Sequence, residues 1–394
     1  MARFQNGLSI DTIEGHTFSR WLVEFSTQVL GWTLYDNNDA GWSSTYAAAA
    51  DIATTLNPDE LDFSGAVYAL TTADAGRYIT MLGNAGWSDS EKETIGIYRV
   101  TWVDVVAQIA HMDILRGVHE DGFPLSKAAI SYRLWDSTAS YVPANNTWAV
   151  VRTPYLHVPA EPNMDFKITA YSSNGYLPYV SVGPFGTWNN ATHAWNDARN
   201  TANRQGSADT GDINIWAYGE DDNLMVCITN MAANKFIVYH LGAIDPTAGT
   251  AVDTNPGIIC AGYCYFNWPA FGNETYNALT NGCRWMAYNA GGNNVAVTGY
   301  IMSPSYTAAG STSSVLSKVR SYSQWSKGLY RFQLMLQSRT AGHMETRGVL
   351  KNIWASAYYQ GLMPFGTTPD FFLHITCGLT IPWNGSKVHV QLNN

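Results

Sequence analysis

Charged side chains are scarce in this chain of 394 residues: Asp, Glu, Lys and Arg together make up 13%, about half of the roughly 25% usual in soluble domains. Long disordered regions are therefore not expected, because disorder needs much charge and few aromatics, and aromatics here also reach 13%, with 15 Trp and 23 Tyr. Basic clusters are missing as well. The net charge is −9 and Lys and Arg gather no further than isolated pairs, so a phosphate backbone or an anionic lipid surface would be repelled. Neither nucleic acid nor a membrane surface is an expected partner. No stretch approaches the roughly 18 consecutive apolar residues of a membrane-spanning helix, so membrane insertion is not expected. The opening residues Met1-Ala2-Arg3-Phe4-Gln5-Asn6-Gly7 lack the apolar stretch of a secretory signal, and the chain is expected to fold in a cytoplasm.

Cysteine is sparse and odd in number: Cys227, Cys260, Cys264, Cys283 and Cys377. That argues against a disulfide framework. Cys260 and Cys264 have a zinc-compatible spacing, but their surroundings are apolar and no second ligand pair lies near, so buried structural thiols are the expected reading. Also missing are the phosphate-cradling Walker loop, the dinucleotide Gly-rich loop, the nucleophile elbow and the His-Glu-x-x-His helix. These absences remove the common enzyme classes. No catalytic residue, cofactor or metal is assigned, and the chain is expected not to be an enzyme.

What is present is apolar periodicity. Phe18, Trp21, Leu22, Phe25 and Val29 recur at helical spacing, with Thr17 as the expected N-cap and Gly31 as the stop. Trp32-Thr33-Leu34-Tyr35-Asp36 then reads as a strand. Short strands punctuated by Gly, Pro and Asn follow: 66–70, 77–82, 97–102, 129–135 and 147–152, with a turn at 71–76 before the second of them. A second series runs through 213–218, 224–229, 235–241, 329–336, 349–355 and 371–376. Such spacing predicts a mainly β chain of sandwich-like or barrel domains with a short amphipathic N-terminal helix. At this length two or three domains are expected, since single cores stop growing at roughly 250 to 300 residues. The divisions expected are a helix-strand unit over 1–60 that packs with the later sheet, a β-rich domain over 61–205, and a β-rich domain over 206–394.

Several polar clusters carry competing readings. His111, Asp113, Arg116, His119, Glu120 and Asp121 are of the types that bind metals or exchange protons. His119, Glu120 and Asp121 are consecutive, however, and consecutive side chains diverge, which favours a solvated loop. Glu220, Asp221 and Asp222 lack the central Gly of a Ca2+ loop and read as a turn; Asp209 and Asp212 read as a polar loop. Trp188, Trp195, Trp216 and Trp268 could stack on sugars, with packing as the default. The Asn-x-Ser/Thr triplets at Asn145, Asn190, Asn273 and Asn384 are read as incidental.

Three groups of segments together resemble structural proteins of tailed bacteriophages. The first is the opening helix with Gly31-Trp32-Thr33-Leu34-Tyr35-Asp36. The second joins Leu70-Thr71-Thr72-Ala73-Asp74-Ala75-Gly76-Arg77-Tyr78, Gly96-Ile97-Tyr98-Arg99-Val100 and the run 116–122 to Val182-Gly183-Pro184-Phe185-Gly186-Thr187-Trp188. The third is Ile215-Trp216-Ala217-Tyr218, Met225-Val226-Cys227-Ile228, Tyr239-His240-Leu241-Gly242-Ala243 and Ala261-Gly262. After Gly242 the sequence departs from that pattern, with Asp245-Pro246-Thr247-Ala248-Gly249 where a Pro/Tyr-rich stretch is usual. The resemblance implies a virion component of the tail, baseplate or fibre, and no catalytic residues. The expected partners are further copies of the chain and other virion proteins. Two alternatives stand beside it: a carbohydrate-binding or glycan-degrading tail protein that meets a host-surface glycan, and a head decoration or collar protein. Finally, residues 290–314 mix Gly, Asn, Ser and Thr with isolated apolar anchors. They are expected to form a flexible loop or arm near 290–314 that orders on contact, with Tyr300, Ile301 and Tyr306 as candidate assembly contacts; the alternative is an ordinary strand with a long polar loop.

Overall fold

A computed structural model describes residues 4–10, 15–43, 48–92, 94–114, 123–135, 146–154, 165–170, 177–199, 203–207, 213–220, 223–230, 235–242, 245–246, 257–263, 283–288, 294–302, 330–337, 344–356, 372–376 and 387–391. The described residues are mainly β, with a short amphipathic helix near the start of the chain, as the periodicity predicts. It divides into two units: Met1–Arg152 with Lys167–Ser181 and Ala208–Asp221, and Thr153–Phe166 with Val182–Ser207 and Asp222–Asn394.

The principal elements of the first unit, in chain order, are β1 (Phe4–Ile10), α1 (Gly15–Glu24), β2 (Thr33–Asn37), β3 (Ala48–Thr54), β4 (Glu60–Asp62), β5 (Tyr78–Gly83), β6 (Gly96–Asp104), β7 (Ile109–Asp113), β8 (Ile130–Leu134) and β9 (Trp148–Arg152). The strand Ile213–Glu220 returns antiparallel beside β1. Phe18, Trp21, Leu22, Phe25 and Val29 are all buried, so the apolar stripe of α1 is its core face. Trp21 stacks between Phe18 and Phe25, at ring-centroid distances of 5.7 and 5.2 Å. The helix begins at Gly15, which places Thr17 inside its first turn rather than at the cap. Its last turn, Phe25–Val29, widens to π geometry, with Leu30 N–H donating to Phe25 O at 3.1 Å and Trp32 N–H to Ser26 O at 2.9 Å. Gly31 then takes φ +74°, a left-handed value that glycine adopts without a steric penalty, and turns the chain into β2.

Strands β3, β4, β7, β6, β5 and β8 close, in that order, into an antiparallel barrel. Closure removes the exposed sheet edges that would otherwise need covering. Alternation sets its inside: Ala110 and Met112 of β7 and Ile130, Tyr132 and Leu134 of β8 are buried, and the residues between them are not. The domain boundary expected after residue 60 therefore fails. It would cut through β4, whose Glu60 and Asp62 pair with His111 and Ile109 of β7. The expected strand at 66–70 is instead part of a folded crossover from β4 to β5, because its backbone is held by side chains: Leu70 N–H donates to Gln108 Oε1 at 2.7 Å and Val67 N–H to Asp51 Oδ2 at 3.0 Å.

In the second unit, Phe185–Asn189 pairs with Ala194–Arg199, and Trp188 meets Trp195 edge to face at 5.0 Å. Asn223–Asn230, Lys235–Gly242 and Gly257–Tyr263 form an antiparallel meander. A larger sheet runs in the order Cys283–Tyr288, Asn294–Met302, Tyr330–Gln337, Met344–Ser356, Lys387–Gln391, Phe372–Thr376. Of the expected arm near 290–314, only 294–302 is described, and that part is a strand; 290–293 and 303–314 lie outside the described residues. Residues 294–302 form a strand paired on both sides, with Tyr300 opposite Met335 and Ile301 opposite Leu334. Val295, Val297, Thr298, Tyr300 and Ile301 are strand formers, and that preference prevails over the glycines and asparagines around them. Tyr306 lies outside the described residues. Ala208–Asp221 belongs to the first unit, so the boundary expected at 205/206 is replaced by interleaved segments.

Candidate functional site

The outer face of the barrel carries a row of side chains on three adjacent strands. Glu60 of β4 stands opposite His111 of β7, and His111 stands opposite Trp102 of β6. The Trp102 and His111 rings lie 4.5 Å apart at 43°, and His111 Nδ1 is 3.5 Å from Glu60 Oε1. Thr55 Oγ1 donates to Glu60 Oε2 at 2.9 Å, so both carboxylate oxygens have protein partners. Thr55 Oγ1 also accepts from Asn57 N–H at 2.9 Å, which fixes the β3–β4 turn.

Trp102 reaches this row through a backbone irregularity. In a regular strand Trp102 would share the inward face with Val100, two residues before it. The β6–β7 register shifts between Val100 and Trp102, leaving Thr101 as the extra residue of a bulge. Val103 becomes the next inward residue, and Trp102 turns out to solvent at 55% exposure. Thr101 Oγ1 donates to His111 O at 3.1 Å across the bulge.

Beside Glu60 runs an open groove of about 490 Å³, lined among others by Thr55, Asn57, Asp62, Ser126 and Lys127. Its far wall is the segment before β8, which follows the end of β3: Thr54 N–H donates to Lys127 O, Lys127 N–H to Thr54 Oγ1, both at 2.8 Å, and Ser126 N–H to Thr55 O at 3.1 Å. Lys127 forms an ion pair with Glu91. Leu56, at 78% exposure, belongs to the lining, and the neighbouring Leu125 is also exposed.

Two further polar clusters are buried. Asp74 accepts from Tyr68 OH at 2.8 Å, from Thr71 N–H at 2.7 Å and from Arg77 Nη1, and Arg77 also donates to the Trp135 carbonyl and, at 3.0 Å, to Tyr68. Burial pushes the Tyr68 hydroxyl up to about 12, with the Asp74 carboxylate adding to the rise. In the second cluster Thr80 Oγ1 joins Glu24 Oε1 and Trp135 Nε1, each at 3.0 Å, and Arg20 lies 4.8 Å over the Trp135 ring. This cluster ties α1 to the barrel strands β5 and β8.

Of the residues singled out in the sequence, His111 and Asp113 lie on β7 rather than in a loop, and 116–122 fall outside the described residues. Trp188 is buried, with its N–H held by Asp165 Oδ2 at 2.7 Å, which is packing. Cys227, Cys260 and Cys283 lie on strands, whereas Cys264, Cys377, Trp268, Asp209, Asp212, Asp221 and Asp222 lie outside the described residues. Among the described residues no group of three metal-ligating side chains converges, and no helix is long and apolar enough to cross a membrane. Glu60 and Trp102 were not legible as partners of His111, nor Thr55 as a partner of Glu60, because strand pairing joins positions that no local pattern links. The three-residue spacing of the inward Val100 and Val103 was the available sign of the bulge. Compared with models of known protein families and with curated proteins, the sequence has no match in either.

Proposed function

We propose that the chain is a structural component of a tailed-bacteriophage virion, associated with the tail or baseplate, that acts through contacts with its own copies and with other virion proteins. The observation that carries the reading is where the phage-like segments fall. Trp32, Leu70, Asp74, Arg77, Ile97, Tyr98, Val100, Ile215 and Ala217 are all buried, so these segments are framework, the part of a sequence that similar β subunits share. Low charge and abundant aromatics suit a subunit whose surface is covered by neighbours. Exposed apolar side chains on the barrel loops support the same reading: Val67 is 95% and Val106 97% exposed. Tyr300 and Ile301 remain candidate assembly contacts, now as part of a sheet. No catalytic role or cofactor is proposed. The expected location is the virion, after folding in the host cytoplasm.

Size-exclusion chromatography with light scattering tests this, together with mass spectrometry of purified particles. A defined oligomer, or a monomer that joins purified tails, is expected. A chain that stays monomeric and is absent from particles refutes the reading. A head decoration or collar protein would be found in particles at a copy number set by shell symmetry rather than by tail rings.

A further inference from the structure

We infer that the outward face formed by Trp102, His111 and Glu60, with the groove beside them, is a binding site for an uncharged glycan. The first ground is the bulge at Thr101. An unbulged β6 would turn Trp102 toward the barrel interior, and instead the strand breaks register at the one place that presents the indole to solvent. Bulges that re-aim a side chain mark sites more often than defects. The second ground is what surrounds the ring. Polar side chains continue from it across three strands: His111 against the indole, Glu60 against His111, then Asn57, Asp62 and Ser126 along the groove. Glu60 is itself buried, with both oxygens taken, so it positions His111; the apolar indole beside the carboxylate, amide and hydroxyl groups of Asp62, Asn57 and Ser126 in the groove lining matches a pyranose ring, whose C–H face is apolar and whose rim is hydroxyl.

Charge selects among ring-bearing ligands. Glu60 and Asp62 face the site, while the groove's Lys127 is already paired with Glu91. Nucleotide bases would stack equally well on an indole, but their phosphates would meet those carboxylates, as would the acidic groups of sialylated or phosphorylated sugars. That leaves neutral glycans. The proposal stands apart from the virion reading: glycan binding by a chain that never enters particles would leave it intact, and entry into particles without glycan binding would overturn it alone.

The test is an array of neutral, sialylated and phosphorylated glycans probed with the whole chain, followed by titration calorimetry of the strongest neutral ligand. Wild type is expected to retain neutral glycans. Trp102→Ala should weaken binding by at least about tenfold, and Trp102→Phe should keep most of it. Thermal unfolding of both variants should match wild type, since the side chain is largely exposed. Should Trp102→Ala fail to fold, Asn57→Ala, on the exposed turn, takes its place with the same expected direction. No retained neutral glycan, retention of acidic glycans only, or unchanged affinity in Trp102→Ala, or in Asn57→Ala where it stands in, overturns the proposal.

Discussion

Replacing Asp74 with Ala tests whether the crossover between β4 and β5 is held by a buried ion pair. Asp74 is 2% and its partner Arg77 6% exposed at the side chain. At that depth the removal of one partner leaves an uncompensated charge, which costs about 3–5 kcal/mol, whereas an exposed pair would cost about 0.2–1 kcal/mol. The upper range applies because the carboxylate also holds the Thr71 amide and the Tyr68 hydroxyl. For a unit of this size each kcal/mol moves the unfolding midpoint by about 2–4 °C, so a fall of roughly 6 to 20 °C is expected. The chain has two units and need not unfold in one step. Hydrogen exchange read by mass spectrometry localises the effect, and the amides of β5 and β6 should lose protection first. A shift below about 1 kcal/mol would refute the buried-pair account. Asp74→Leu with Arg77→Met supplies the complementary check: it removes the uncompensated charge but leaves the Thr71 amide, the Tyr68 hydroxyl and the Trp135 carbonyl without these partners, so recovery of only part of the loss is expected; a double variant less stable than Asp74→Ala would contradict the account.

The same carboxyl predicts a pH response. Burial pushes Asp74 up, but the Thr71 amide, the Tyr68 hydroxyl and the Arg77 guanidinium outweigh it, so its pKa lies below the ordinary 3.8. A depressed folded pKa contributes stability above the unfolded value, and that contribution disappears as pH falls from 3.8 through the folded pKa. Acid denaturation of the first unit should therefore be less steep in Asp74→Asn than in wild type.

Other perturbations probe separate parts of the framework. Trp21→Ala removes the middle ring of a buried stack and should cost about 3–5 kcal/mol, measured by urea denaturation. Gly31→Ala and Gly83→Ala both force alanine to positive φ, but only at Gly83 would the new Cβ meet neighbours, at 2.9 Å from Trp87 and 3.0 Å from Ile95; Gly31→Ala should lose about 1 kcal/mol and Gly83→Ala clearly more. At high pH, burial raises Tyr98, and pushes Tyr132 up to about 12, so the unfolded chain ionises first and stability should fall as pH rises above 10. The slope is up to about 1.4 kcal/mol per pH unit for each tyrosine, and a flat equilibrium stability from pH 10 to 11 would contradict the burial of these hydroxyls.

The helix was legible because five apolar residues at helical spacing cannot share one face in any other local structure. β5, β6, β8 and β9 were legible from their β-branched and aromatic content. β3 was not: Ala48-Ala49-Ala50-Asp51-Ile52-Ala53-Thr54 has poor strand propensity and becomes a strand through its pairing with β8 and β4. β7 was obscured by His111 and Asp113, which read as loop residues until alternation is checked against the buried Ala110 and Met112. Of the candidate site only His111 was singled out in the sequence. Its partners come from 51 and 9 positions earlier in the chain, Glu60 and Trp102, and only the closure of the barrel brings the first of them near.

Framework and outward face carry different kinds of information. The buried framework positions constrain which backbone the chain adopts, and a backbone of this kind can serve many functions. Trp102 is the opposite case, since a regular β6 would turn its side chain to the inner face. The register break at Thr101 sets aside that burial and instead places the indole against His111, in line with Glu60. A departure of this sort from the locally favoured arrangement is where selection for something other than folding is most readily read. The proposed assembly role and the proposed glycan site are therefore compatible: the first draws on the framework that positions the barrel, and the second on one of the three register breaks among its described strand pairings, the one that exposes an indole.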